Sequence, residues 1–110
     1  MQRQLRKCGG FEEEVFTSDE IAYCVSKRYP ERHFAARFAA KEAMLKALAC
    51  GKAPGLEWRD MEIRNDKKGR PQMVLHGAVD KLAKKKRARH IFVSLAHTRQ
   101  WALASVVLES

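Results

Sequence analysis

No stretch of this sequence approaches the roughly 20 consecutive apolar residues that a membrane-spanning helix needs. Its start, "MQRQLRKCGG", is basic and then gives way to acids, with no apolar segment behind it, so no signal peptide is expected. Cysteine is sparse. The three, Cys8, Cys24 and Cys50, have no metal-type spacing, and their odd number argues against a full disulfide framework. Reduced thiols in a cytoplasmic protein are the expectation. Neither an internal repeat nor a low-complexity linker interrupts the 110 residues, so one domain over 1–110 is expected. At 45% hydrophobic and 32% charged, the chain reads as folded rather than disordered.

Acid is the charge in short supply. Thirteen Asp and Glu stand against 22 Lys and Arg, a net charge of +9. Such an imbalance points to an anionic partner: nucleic acid, a membrane surface, an acidic protein or a phosphorylated small molecule. The bases fall into three groups. One is Arg3, Arg6 and Lys7 at the start. Another runs from Lys81 through "KKKRARH". The third is Arg37, Lys41 and Lys46, set around a single acid, Glu42.

Residues 2–8 read as helical, interrupted by Gly9 and Gly10. In "FTSDEIAYC", Thr17 or Ser18 is a helix N-cap, with Asp19 and Glu20 in the first turn where the helix dipole favours acids. That helix ends before Pro30. Pro30 and Glu31 suit the first turn of a longer helix running to about Cys50, stopped by Gly51. Beyond it, residues 58–64 read as a strand with an imperfect register, "NDKKGRP" as a turn and "QMVLH" as a second strand. Residues 77–88 form a basic helix with Val79, Leu82 and Ala83 on its apolar side. "HIFVSLA" and "WALASVVLE" are strands joined by "HTRQ", an antiparallel hairpin. The order implies an α+β fold, an antiparallel sheet packed on the long helix.

On that helix Glu42 lies beside Phe38 and Lys46, and Arg37 beside Lys41. Two like charges at that spacing cost a few tenths of a kcal/mol, roughly, unless an anion sits between them. Six alanines (35, 36, 39, 40, 43 and 47) leave room for another backbone or a bulky ligand. Two readings of Glu42 and Lys46 stand side by side. One is a surface ion pair contributing about 0.2–0.5 kcal/mol. The other is a carboxylate that holds a hard cation, flanked by bases for phosphates. Mg²⁺ commonly takes one or two carboxylates and completes its shell with phosphate oxygens and water.

"ARFAAKEAMLKAL" resembles the signature helix of the 4′-phosphopantetheinyl transferase superfamily, of the small bacterial holo-acyl-carrier-protein synthase type. "FTSDEIAYC", "LEWRDMEIRNDKKGRPQMVLHG" and "SLAHTRQWALASVVLE" resemble, in the same order, the segment before that helix, the family's strand, turn and "G-x-P" strand, and its closing hairpin. The resemblance implies transfer of the phosphopantetheine arm of coenzyme A to a serine of apo acyl carrier protein, dependent on Mg²⁺, in fatty acid biosynthesis. It implies Glu42 as metal ligand and catalytic residue, and Lys46 at the pyrophosphate and leaving group. It implies Arg37 and Lys41 near coenzyme A phosphates, His97 at the 3′-phosphate, and Thr98 beside it as a further coenzyme A-binding residue. Ala96 stands where the family usually has a small hydroxyl residue. Arg3, Arg6 and Lys7 occupy the region that meets the carrier protein, although a solvated basic terminus is an equal reading. A homotrimer with sites between protomers is implied as well. The family's opening strand, "G-x-G-x-D", carries a second Mg²⁺ ligand, and no counterpart stands in this sequence. The alternative is a relative that binds coenzyme A or carrier protein without turnover. Nucleic-acid binding by "KKKRARH" is the weakest reading, since no aromatic platform accompanies it.

Overall fold

The computed structural model describes residues 9–48, 56–98 and 100–109. Three helices come first: α1 (Gly9–Val15), α2 (Ser18–Val25) and α3 (Pro30–Ala47). A 3₁₀ turn (Trp58–Asp60) leads into β1 (Met61–Asn65) and β2 (Pro71–Leu75). These are followed by α4 (Gly77–Lys85), β3 (His90–His97) and β4 (Ala102–Glu109). The strands form two antiparallel hairpins, β1 with β2 and β3 with β4, and β2 lies alongside β3. α3 crosses β4 and β3. The α+β reading holds, with the sheet built as two hairpins. Among the described residues no helix is long and apolar enough to cross a membrane.

Local sequence accounts for most boundaries. Thr17 caps α2 in a reciprocal box: its Oγ1 accepts from Glu20 N at 3.2 Å, while Glu20 Oε1 accepts from Thr17 N at 3.0 Å. Pro30 opens α3, where its missing N–H costs nothing. Gly9 and Gly10 are the first two residues of α1, and the helix expected over 2–8 lies outside the described residues. The imperfect register at 58–64 is also explained: Trp58 belongs to the 3₁₀ turn, so alternation starts only at Met61. Asp66 organises the turn between β1 and β2, its Oδ1 accepting from Lys68 N and Arg70 N at 2.9 Å each. Gly77 has φ +54, a backbone conformation that favours glycine, and a Cβ there would push aside the Asp60 carboxylate, whose Oδ1 lies 2.9 Å away.

α3 is buried nearly all round, which only a central helix tolerates. Phe34, Ala35, Ala36, Phe38, Ala40, Met44 and Leu45 all lie inside. The clearance given by the buried alanines is therefore used by the chain itself. Ala40 belongs to the cluster that Leu95, Ala104 and Val106 pack against. A second cluster joins Phe16, Cys24, Phe34 and Phe38, with Phe16 and Phe34 rings 5.0 Å apart. Burial raises the Cys24 thiol to about 12, so it stays protonated and unreactive.

The β3–β4 hairpin alternates strictly. Ile91, Val93, Leu95, Ala104, Val106 and Leu108 face the core. On the other face, Phe92 pairs with Val107 and Ala96 with Leu103. Phe92, Leu103 and Val107 are each more than half exposed there, at 55%, 60% and 52%.

Candidate functional site

The charged residues of α3 separate into two rows. His33, Arg37 and Lys41 succeed one another at four-residue spacing on one side. Glu42 and Lys46 form the other row. At about 100° per residue, His33 and Arg37 lie roughly 140–180° around the helix from Glu42 and Lys46. Arg37 and Lys41 are buried, 2% and 0% exposed, whereas Glu42 and Lys46 are exposed. Among the described residues, Glu42 and Lys46 form no ion pair with each other.

Lys41 donates to Val15 O at 2.6 Å, Glu20 Oε1 at 2.8 Å and Trp58 O at 3.2 Å. These use its three N–H bonds, so no donor remains for a phosphate. The expectation that Lys41 meets coenzyme A phosphates therefore gives way to an internal role. Burial pushes its ammonium below the ordinary lysine range, and the Glu20 carboxylate opposes that shift. Glu20 is also buried, and its Oε2 accepts from Ile63 N at 3.0 Å. One carboxylate thus ties α2, α3 and β1 together. Glu62, beside it on β1, accepts from Thr17 Oγ1 at 3.0 Å and pairs with Arg64 at 3.2 Å and His76 at 2.9 Å. Burial pushes the Glu62 carboxyl up, but its hydrogen bonds from His76, Arg64 and Thr17 outweigh this and hold it below the usual range.

Arg37 answers the like-charge question differently. Its Nη2 donates to Asn65 Oδ1 at 2.7 Å, and its guanidinium stands 4.1 Å from the Tyr23 ring. Its Nε is buried without a hydrogen-bond partner among the described residues. The compensating anion beside Lys41 is Glu20, from within the chain. His97 ends β3 at a position paired with Ala102, on the helix-facing side of the hairpin. It is exposed, with its ring 4.7 Å from that of His33. Thr98 serves the hairpin turn: its Oγ1 accepts from Gln100 N and Trp101 N at 3.2 Å each. Arg3, Arg6 and Lys7 lie outside the described residues.

The sequence pattern of the 4′-phosphopantetheinyl transferase superfamily matches residues 1–106. The chain belongs to this superfamily. Over 97 residues it is 46% identical to a holo-[acyl-carrier-protein] synthase of Geotalea daltonii, covering 88% of this chain and 78% of that protein. A synthase of Solibacter usitatus is 38% identical over 111 residues, covering all of this chain and 89% of its own length. Among solved structures, the Neisseria meningitidis synthase superposes with a TM-score of 0.86 at 28% identity, covering 98% of this chain and 87% of that one. The Helicobacter pylori synthase, solved in complex with coenzyme A, gives 0.82 at 26% identity, covering 98% and 93%.

For this superfamily member the fit to Mg²⁺ rests on Glu42. The described residues contain no cluster of three or more His, Cys, Asp or Glu able to hold a metal by themselves. A solvent-facing carboxylate does suit a hard cation that draws its other oxygens from substrate phosphates and water. Sequence reasoning missed Glu20, Glu62, Asn65 and His33. Glu20 was visible only as a helix-start acid. His33 was signalled by its place four residues before Arg37.

Proposed function

We propose that this chain transfers 4′-phosphopantetheine from coenzyme A to a serine hydroxyl of apo acyl carrier protein, releasing adenosine 3′,5′-bisphosphate. The observation that carries this reading is the exposed Glu42, without an ion-pair partner among the described residues and one turn before an exposed Lys46, on a helix whose neighbouring lysine is fully engaged inside the chain. The serine oxygen bonds to the β-phosphorus, the bridging P–O bond breaks, and the serine proton leaves. Glu42 orients the water that takes this proton, its carboxylate being accessible to solvent. Lys46 holds the pyrophosphate and stabilises the charge that grows on the departing phosphate. His97 binds the 3′-phosphate, and Arg37 fixes Asn65 and the wall of that subsite. Thr98 holds the turn that presents His97. Lys41 acts by positioning, since it anchors Glu42's helix to α2. Glu42 would also hold Mg²⁺, which when bound neutralises charge on the pyrophosphate.

Two observations support an assembly, and the proposal is a homotrimer with sites between protomers. The outward face of β3–β4 is apolar and exposed at Phe92, Leu103 and Val107. The two rows of α3 point away from each other, so one coenzyme A meets both when it bridges two protomers. Arg3, Arg6 and Lys7 are the proposed contact with the carrier protein, and the cytoplasm is the proposed compartment. The test is intact-mass spectrometry of apo carrier protein after incubation with this chain, coenzyme A and Mg²⁺. The carrier is expected to gain one phosphopantetheine. Saturable coenzyme A binding without any mass gain would overturn the transferase reading in favour of a binding module.

A further inference from the structure

A cation-dense corner forms where α2, the start of α3 and the end of β3 meet. Lys27 and Arg37 lie over the Tyr23 ring at 4.6 and 4.1 Å, and Arg28 and Arg32 over the Tyr29 ring at 5.3 and 3.9 Å. Ring faces attract these cations but leave their charge in place. Within this corner His33 is partly buried. Its ring stands edge-on to His97 at 4.7 Å and to Tyr23 at 5.8 Å. Glu31, the acid of the same helical turn, has an interaction of its own. Among the described residues, the charged groups that hold the proton off His33 are Arg32 and Arg37 from its own helix, Lys27 from the turn after α2, and His97 from β3, all basic. Such a corner is built for a multiply charged anion.

We infer that His33 is a second proton-accepting ring of the 3′-phosphate subsite, so that binding the phosphomonoester of coenzyme A brings a proton from solvent onto His33. This rests on the reading of His97 as a 3′-phosphate contact. Burial first, and then the surrounding cations, hold the proton off His33 in the unliganded chain and place its pKa below 6.5. A phosphate dianion beside the two rings reverses the sign of the local field and favours the imidazolium form of His33. Coenzyme A affinity then gains from falling pH until His33 is protonated in the unliganded chain as well. His33 thereby sets how affinity depends on pH, a role that ring packing alone does not supply.

The test is titration calorimetry of coenzyme A binding in buffers of different ionisation enthalpy, which counts the protons taken up. His33→Phe keeps an aromatic ring against His97 and Tyr23 but accepts no proton. Near pH 6 the wild-type chain is expected to take up more protons per coenzyme A than His33→Phe, with an excess approaching one. That excess should vanish above about pH 8, where imidazoles are neutral in both states. Equal uptake by the two proteins overturns the inference. Should the variant fold poorly, NMR titration of the His33 ring in the wild-type chain decides the matter. Coenzyme A is expected to raise its midpoint, and an unmoved midpoint is contrary. Binding with an unmoved His33 sinks this inference alone. No coenzyme A binding by the wild-type chain contradicts the transferase reading and this inference together.

Discussion

Lys41 and Glu42 are neighbours in sequence, yet they do opposite work. Lys41 is wholly buried, its ammonium shared among Glu20 and two backbone carbonyls. Glu42 is exposed and has no ion-pair partner among the described residues. A step of about 100° around one helix separates a residue that holds the fold from one that faces solvent, where the proposed site lies. The lesson is that a cluster of charges in sequence is not a cluster in space. "RFAAKEAMLKAL" looks like one phosphate-binding patch, but its helix distributes the charges to two sides. Glu20, from a different helix, neutralises Lys41.

Breaking the exposed side should cost activity and leave stability alone. Glu42→Gln is expected to lower turnover by about 10²–10⁴-fold, the range for a lost proton-transfer group. Its thermal midpoint should stay that of the wild type. Breaking the buried side should do the reverse. Lys41→Met leaves the Glu20 carboxylate buried and unpaired, which costs about 3–5 kcal/mol in chemical denaturation. Adding Glu20→Gln should recover part of that loss, because the stranded charge disappears with it. If Lys41→Met folds as well as the wild type and loses only coenzyme A affinity, the division between the rows is wrong.

Two smaller effects sharpen the comparison. Leu103→Asp places a charge on the apolar outer face of β4 and should convert the proposed trimer to monomers in sedimentation. An unchanged mass would show that this face is not the interface. The smallest effect concerns pH and stability. The pKa of His33 in the folded chain lies below the ordinary 6.5. Between these two values the unfolded state binds more protons, so stability falls as pH drops through that window and is unaffected above it. His33→Phe should remove that slope in denaturation series between pH 8 and 5.

Much of the fold was legible because local rules and tertiary structure agree. The capping residues at Thr17, the proline at Pro30 and the alternation of 90–97 and 102–109 each name their element without help. The pattern failed where a long-range partner decides. Nothing local says that Lys41 turns inward, because its partners lie 26 residues before, 21 before and 17 after it. Trp58 blurred the strand register because its 3₁₀ turn serves packing against Phe38, with rings 5.0 Å apart. Glu42, Lys46 and His97 were named from the sequence and remain the proposed site residues. Asn65 and His33 were not, since each acquires its role only through contact with α3 or β3.

The central claim is that the two rows of α3 serve neighbouring protomers, and complementation tests it most directly. Glu42→Gln and His97→Ala, each impaired alone, are unfolded, mixed in equal amounts and refolded together. They are then assayed at a coenzyme A concentration well below the wild-type KM. If each site takes Glu42 from one protomer and His97 from the next, random mixing makes about one quarter of the sites fully wild type. Phosphopantetheinylation should then recover to roughly that fraction of the wild-type rate. If both residues belong to a single protomer's site, no mixture contains an intact site. Activity no higher than the mean of the two variants would contradict the account.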